Sequence, residues 1–482
     1  MGGFGLPEEF QLIWLIFILH ECISSIIFAT SYHNHFSNDS TRFHPAGGPP
    51  VSLRTDSPAV RGALWDARFG LEREALRVDA AGRMARTPHP YPADHPHVVR
   101  DFCENQTEIN TGVADSPAAA VAELERIDSH LRAVLAARPD PVWLWRFSNP
   151  PPLGGDEDIP VAAFTGARVT KTAYRERLAA AYGRRRMAFC GVHVNISFAP
   201  SLLSAAAEAD GAPDARRHAD ALYVELAAKA AEHAWLLVAL TAASPLADPT
   251  LVEAPAPGAP PAGGGDLFLG MASVRCSELG YWNDFVPVFD YADAPSWARS
   301  VARCVEAGLI AAPTELYYPV RPKPRGPNRL EAIAAGGIDR IELRMFDLNP
   351  FARAGVDERD VAFAHLLLVR LAALPRTPHP ARAQILAVRN AKAAARYDLD
   401  LATILFPDGR TLPVREAALR ELDALATFLA PLDAPPALRD ALDWQRAKLA
   451  RPSARYADRV RAAFSGGYAA KALALAKGEL HV

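Results

Sequence analysis

Phe189–Phe198 predicts a strand, within which Gly191 to Phe198 reads Gly-Val-His-Val-Asn-Ile-Ser-Phe. Successive side chains of an extended strand point to opposite faces. His193, Asn195 and Ser197 therefore share one face, and Val192, Val194, Ile196 and Phe198 the other. A strand with an aliphatic back and a His/Asn/Ser front is ill suited to a parallel sheet covered on both sides. It calls for a sheet with one face on a core and the other lining a polar cavity. Phe69–Val78 alternates in the same way, and Leu316–Val320 and Ile338–Leu348 are further strand candidates.

Helical periodicity separates these stretches. Pro117–Ala137 carries Val121, Leu124, Ile127, Leu131 and Leu135 on one stripe, and Ala173–Tyr182 also reads as helix. Ala219–Ala243 predicts one long, largely buried helix. Glu253–Gly265 is Pro/Gly-rich and predicts a loop. From Val356 onward the pattern is almost wholly helical and suggests a cap over the sheet. No internal repeat is visible.

Half of the 482 residues are apolar, enough for a large core, and the formal net charge is −3. Basic residues are scattered, which argues against nucleic acid as a partner. The five cysteines (Cys22, Cys103, Cys190, Cys276, Cys304) include no C-x-x-C pair. They read as reduced thiols of a cytoplasmic protein, neither a disulfide framework nor a zinc site.

The first 50 residues differ from the rest. Gln11–Ser31 is apolar, but its uninterrupted run, Leu12–Leu19, is short, and His20 and Glu21 break it. Glu8 and Glu9, not basic residues, precede it, unlike a secretory signal. A membrane span needs about 20 apolar residues. Residues 1–50 are read as an atypical extension foreign to the fold. A membrane anchor over residues 12–27 is the alternative, and the catalytic domain is expected over residues 57–482.

The chemistry-bearing residues lie on the alternating stretches. Glu72 and Glu74 point to one face, where two carboxylates repel unless solvated or bridged by a cation. Asp101, Glu104 and Glu108 lie within eight residues. Glu342 and Arg344 share a face, as a surface salt bridge or as a metal ligand beside a phosphate clamp. Carboxylates with one imidazole and no cysteine cluster favour a hard cation such as Mg²⁺ over zinc. Mg²⁺ with arginines points to a nucleotide phosphate. There is neither a P-loop nor a dinucleotide-binding glycine fingerprint.

Gly70–Val78, Asp101–Glu108, Gly191–Ser197 and Ile341–Phe351 resemble, in this order, the signature segments of bacterial glutamate–cysteine ligases. Arg275–Tyr281 and Glu315–Lys323 do so too, and the resemblance runs from about Phe69 to Ala373. It implies an α+β fold: a glutamine-synthetase-like curved antiparallel sheet, a funnel, with surrounding helices and a helical C-terminal part. It implies ATP and Mg²⁺ as cofactors and L-glutamate and L-cysteine as substrates; membrane association rests only on the anchor alternative for residues 12–27. Glu72, Glu74, Asp101, Glu108, His193 and Glu342 would hold the metal, Arg275 would bind glutamate, and Arg344 would steady the transferring phosphoryl group. Tyr174, Tyr281 and Tyr317 would form the cysteine pocket. The implied reaction is the first step of glutathione biosynthesis through a γ-glutamyl phosphate; the alternative is a related ligase with another amine acceptor. Ala272-Ser273-Val274-Arg275, Glu278 and Trp282 depart from the family pattern near Tyr281, and none of these changes removes a metal ligand.

Overall fold

The computed structural model describes residues 51–252 and 265–482, all within one compact unit. The extension and most of the Glu253–Gly265 loop lie outside the described residues. Ordered packing begins ahead of Ser57: Val51 and Leu53 are buried, and the Leu53 N–H donates to the Ala372 carbonyl at 2.8 Å.

The sheet is built from β1 (Ala67–Val78), β2 (Val98–Arg100), β3 (Gln106–Asn110), β4 (Trp143–Leu144), β5 (Gly191–Phe198), β6 (Val320–Lys323) and β7 (Arg340–Asp347). Its order is β2-β3-β1-β5-β7-β6, with β4 also pairing β1. Every pairing is antiparallel. With helices against it, this is the expected α+β class.

The aliphatic back of the sheet is fully buried: Leu71, Val192, Val194, Ile196, Ile341 and Leu343 are at most 1 % exposed. Helix Ala234–Thr241 packs on β7, Ala215–Glu232 on β6, and Pro117–Ala136 on β1 and β3. The last of these starts where the Ser116 hydroxyl accepts the Ala119 N–H, with Pro117 in the first turn. All five stripe residues of that helix are buried. Sequence alternation missed one polar feature of this core. Arg73, on the back of β1, pairs with Asp128 of the helix at 2.6 Å, both nearly fully buried. Among the described residues no helix is long and apolar enough to cross a membrane.

Two element boundaries differ from expectation. The predicted helix Ala219–Ala243 is divided at His233, whose backbone (φ −103°, ψ 4°) leaves helical geometry. Its ring Nδ1 lies 2.8 Å from the Lys229 carbonyl, a local partner that competes with helix continuation. The strand predicted over Leu316–Val320 begins only at Val320. Before it, the Tyr317 N–H donates to the side-chain carbonyl of Asn283 at 2.7 Å, away from the ladder. Pro322 fits β6 because that strand is an edge of the sheet.

Candidate active site

The register of the sheet assembles one polar face. Glu74 lies opposite Glu108, Glu72 opposite Asn110 and His193, Asn195 opposite Glu342, and Glu342 opposite Arg321. Between β5 and β7, Val192 faces Phe346 and Val194 faces Leu343. Two steps on β5 thus match three on β7, a bulge that sets Arg344 and Met345 against His193. Asp101 comes from the β2–β3 loop, and its carbonyl is held by the Arg175 guanidinium of helix Val169–Tyr182.

Six side chains converge as two triads, Glu72–His193–Glu342 and Glu74–Asp101–Glu108. In each, one ligand atom per residue lies within 4.8 Å of the others. His193 stands between them, with Nδ1 3.1 Å from Glu72 and Nε2 3.7 Å from Glu74.

The triads differ electrostatically. Burial works against the charge on Glu342, but Lys323 (3.1 Å) and Arg344 (3.2 Å) hold its carboxyl well below the usual range. Burial and the Glu342 charge raise Glu72, yet His193 and Lys323 outweigh them and leave its pKa lowered. In the other triad, burial and then the Asp101 charge push Glu74 up to about 8. Burial, Asp101 and Glu72 push Glu108 well above the ordinary value. Burial and the Arg344 charge lower His193, which favours the neutral imidazole that binds metal.

Arg275 enters from the other end. Ser273 donates to Asp347 at 3.0 Å, anchoring this segment to the end of β7. The Arg275 guanidinium then donates to the Arg344 carbonyl at 2.8 Å. It lies against Gly191, where a Cβ would come within 2.3 Å of Arg275 Cζ, so any side chain here would displace the guanidinium. The Gly191 N–H donates to Glu74 at 2.9 Å, linking the arginine to the acid triad.

A small cavity of about 40 Å³ opens beside Arg344, walled by Arg275, Cys276, Tyr281, Trp282, Tyr317 and Met345 among others. The Tyr281 and Tyr317 rings are 4.2 Å apart between centroids. Tyr174 is not part of this wall; its hydroxyl accepts from Thr314 at 3.1 Å. Behind the wall, Tyr182 donates to Glu315 at 2.8 Å and its ring meets Tyr317 edge-on.

The sheet face thus brings together Glu72, Glu74, Asp101, Glu108, His193, Glu342, Arg344 and Arg275, with Tyr281 and Tyr317 alongside. The sequence reading had passed over Lys323, Arg321 and Asp347. Arg321 and Lys323 flank a proline on a short edge strand, so their shared face had no apolar counter-pattern to reveal it.

The donor set fits a hard cation: five carboxylates and a neutral imidazole, with no thiol in either triad. The oxygens of the fully buried Glu342 are met by the Lys323 and Arg344 cations, while the buried His193 Nε2 has no hydrogen-bond partner. An unpartnered buried polar atom is costly unless a ligand completes it.

A family model described as glutamate-cysteine ligase matches residues 55–308 and 290–393. The bifunctional glutathione biosynthesis protein GshAB of Listeria monocytogenes is 31% identical over 414 residues, covering 84% of this chain and 53% of that protein. The glutamate–cysteine ligase of Azotobacter vinelandii is 30% identical over 351 residues, 65% of each chain. The chain thus spans about half to two-thirds of the length of these curated relatives. Among solved structures, glutamate–cysteine ligase of Francisella tularensis in complex with AMP superposes with a TM-score of 0.75 at 22% identity, covering 86% of this chain and 88% of that one. A bifunctional glutathione synthetase from Pasteurella multocida also gives 0.75, at 24% identity, covering 89% of this chain and 54% of that one. These two likenesses establish the fold.

Proposed function

Because the chain belongs to the glutamate–cysteine ligase family, we propose that it joins the γ-carboxylate of L-glutamate to the amine of L-cysteine with ATP as phosphoryl donor, the first step of glutathione biosynthesis. The observation that carries this reading is the pair of metal-ligating triads on one sheet face, directly beside Arg344 and Arg275. Glu72, His193, Glu342, Glu74, Asp101 and Glu108 would hold Mg²⁺. When bound, Mg²⁺ supplies positive charge against the nucleotide phosphates.

A carboxylate is a poor electrophile because its charge repels an approaching amine. Transfer of a phosphoryl group to the γ-carboxylate gives a γ-glutamyl phosphate with a good leaving group. The amine then attacks the acyl carbon, phosphate leaves with the bonding electrons, and the amine loses a proton. Arg344 is pre-positioned by Glu342 and by contact with His193 Nδ1, so its charge needs little reorganisation as phosphoryl charge develops. Arg275, fixed by backbone carbonyls, presents a cation to the glutamate. Tyr281 and Tyr317 supply an apolar wall for a short acceptor side chain, and Tyr174 would complete it on substrate binding. The reading places the enzyme in the cytoplasm, with ATP and reduced thiols at hand; the four described cysteines are free and buried.

A different amine acceptor is the second reading, favoured by Trp282 in the cavity wall. Glutamate-dependent ADP release measured with cysteine, 2-aminobutyrate and glycine separates the two. Cysteine is expected to be the preferred acceptor. Equal rates with all three would remove cysteine from the assignment, and no glutamate-dependent ADP at all would remove the ligase reading.

A further inference from the structure

The back of the sheet carries a second concentration of charge. Arg73, between Glu72 and Glu74 on β1, faces away from both and meets Asp128 of helix Pro117–Ala136 at 2.6 Å. One turn along that helix, Arg132 takes the other Asp128 oxygen, also at 2.6 Å. The carboxylate is thereby fully engaged, one oxygen to each guanidinium. Two more arginines close on the same place. Arg146 follows β4, and Arg353 belongs to a turn over residues 349–355, after β7. The Asn349 N–H closes that turn by donating to the Gly355 carbonyl at 2.8 Å. Gly355 (φ +81°) seats it on Arg73, since a Cβ there would lie 3.2 Å from Arg73 Cδ. Arg146 donates to the Ala352 carbonyl at 2.9 Å, and Arg353 to the Ser129 hydroxyl at 3.0 Å.

Four guanidiniums thus share one carboxylate. Among the described residues no acid meets Arg146 or Arg353 at ion-pair distance; their partners are a carbonyl and a hydroxyl. Arg73 is 3% exposed, and its Nε has no hydrogen-bond partner. Burial and then the Arg132 charge push Arg146 down to about 10, with Arg73 and Arg353 adding to the repulsion and Asp128 opposing it. Like charges gathered in a partly dry place repel, and an anion among them removes the repulsion. The cluster is reachable from solvent: Arg132 and Arg146 are half-buried and Arg353 is exposed.

We propose that a phosphate dianion, free or as a monoester, binds between Arg132, Arg146 and Arg353, with Arg73 as the buried floor of the site. Planar guanidiniums match phosphate oxygens in pairs, which favours this anion over a halide. The site lies behind β1, on the side away from the metal triads, and stands independently of the ligase reading.

The competing reading is that these arginines only staple the turn 349–355 to the helix. Titration calorimetry separates the two. Inorganic phosphate and glycerol 3-phosphate are titrated into the full chain, Arg353→Ala and Arg146→Leu, without Mg²⁺ or nucleotide and at one ionic strength. Circular dichroism checks each fold. Phosphate affinity is expected to fall about tenfold or more in each variant. Tighter binding of the ester than of inorganic phosphate would assign the site to a phosphorylated small molecule, and equal binding to the free anion. If Arg146→Leu does not fold, Arg353→Ala, which alters an exposed side chain, is read alone by the same criterion. Affinity for both probes within about twofold of the parent would overturn the proposal, because the phosphate would then be bound elsewhere. Absence of binding of either probe to the unmodified chain would overturn it as well.

Discussion

The two candidate metal triads are built from nearly the same residue types and lie on adjoining positions of one sheet, yet the protein treats them oppositely. Around Glu72–His193–Glu342 it has placed Lys323, Arg344 and the Asn195 amide, and both carboxyls titrate below their ordinary range. Around Glu74–Asp101–Glu108 the neighbours are chiefly other acids, and Glu74 and Glu108 titrate above theirs. The first triad is ready for a cation and already balanced without one. The second is assembled at a cost that a cation would remove. Similar ligand sets thus give one site whose charge the protein balances and one whose charge it leaves for the ligand.

The sharpest way to break this comparison is through activity, where both triads should be indispensable. Glu72→Ala and Glu108→Ala are each expected to lower kcat by about 10²–10³-fold while circular dichroism stays unchanged. Full activity in either variant would move metal binding elsewhere. Stability of the metal-free protein should then separate the triads by sign. Glu342→Gln leaves Lys323 and Arg344 buried without their counter-ion, and is expected to cost about 3–5 kcal/mol in denaturant unfolding. Glu108→Gln removes a carboxyl whose ionisation this site disfavours, and is expected to gain about 1 kcal/mol at alkaline pH, where the carboxyl would be charged, and little at acidic pH. Losses of equal size in both would show that the second triad carries no stored repulsion.

The difference also fixes a pH dependence. The Glu74 carboxyl titrates near 4.5 in an unfolded chain and at about 8 when folded. Between these values the folded protein holds a proton that the unfolded chain has lost. Stability of the metal-free protein therefore falls as pH rises through this window. Mg²⁺ bound as proposed would oppose the trend, because it would bind the ionised form and only in the folded state. At a hundredfold excess over its Kd it adds about 2.7 kcal/mol. The displaced proton should appear in calorimetry as a binding enthalpy that varies with the ionisation enthalpy of the buffer at pH 7. A buffer-independent enthalpy would mean that Glu74 is already ionised.

Much of this face was legible before any coordinates. The alternation on β5 dictated a wet front and a dry back, and parity put Glu72 with Glu74 and Glu342 with Arg344; that these join His193 on one face was an expectation from the family resemblance. Parity says nothing about register across strands. That Glu74 would meet Glu108, and that six ligands would divide into two triads, depends on pairings between residues as many as 156 positions apart in the chain, as for Gly191 and Asp347. Arg321 and Lys323 escaped because a four-residue edge strand with a central proline has too little alternation to read. The buried Arg73–Asp128 pair escaped because an arginine on a β-strand ordinarily marks the solvent side. The break at His233 escaped because both halves are rich in good helix formers; charged residues stop at Glu232 and the rest is nearly all apolar, but such a change does not by itself end a helix, and only the backbone records the break.

The smallest expected effect tests the comparison most finely, since it sets one amide against another. Asn195 donates to Glu72 at 3.1 Å, and Asn110 donates to Glu108 at 2.7 Å. Each hydrogen bond favours the ionised carboxylate, and removing either should weaken Mg²⁺ binding by about 1 kcal/mol, roughly fivefold. The consequences should diverge with pH. In the first triad Lys323 keeps the carboxylates ionised whether or not the amide is present, so the loss in Asn195→Ala should be the same at pH 6.5 and pH 8.5. In the second triad burial and the neighbouring acids outweigh the cations (Arg275 and Arg344 near Glu74, Lys171 near Glu108), so Asn110→Ala raises the Glu108 pKa further and metal must displace a more firmly held proton. Its loss should be larger at pH 6.5 and shrink at pH 8.5. Mg²⁺ titrations of both variants at the two pH values measure this directly, and parallel curves would show that the two triads are electrostatically alike after all.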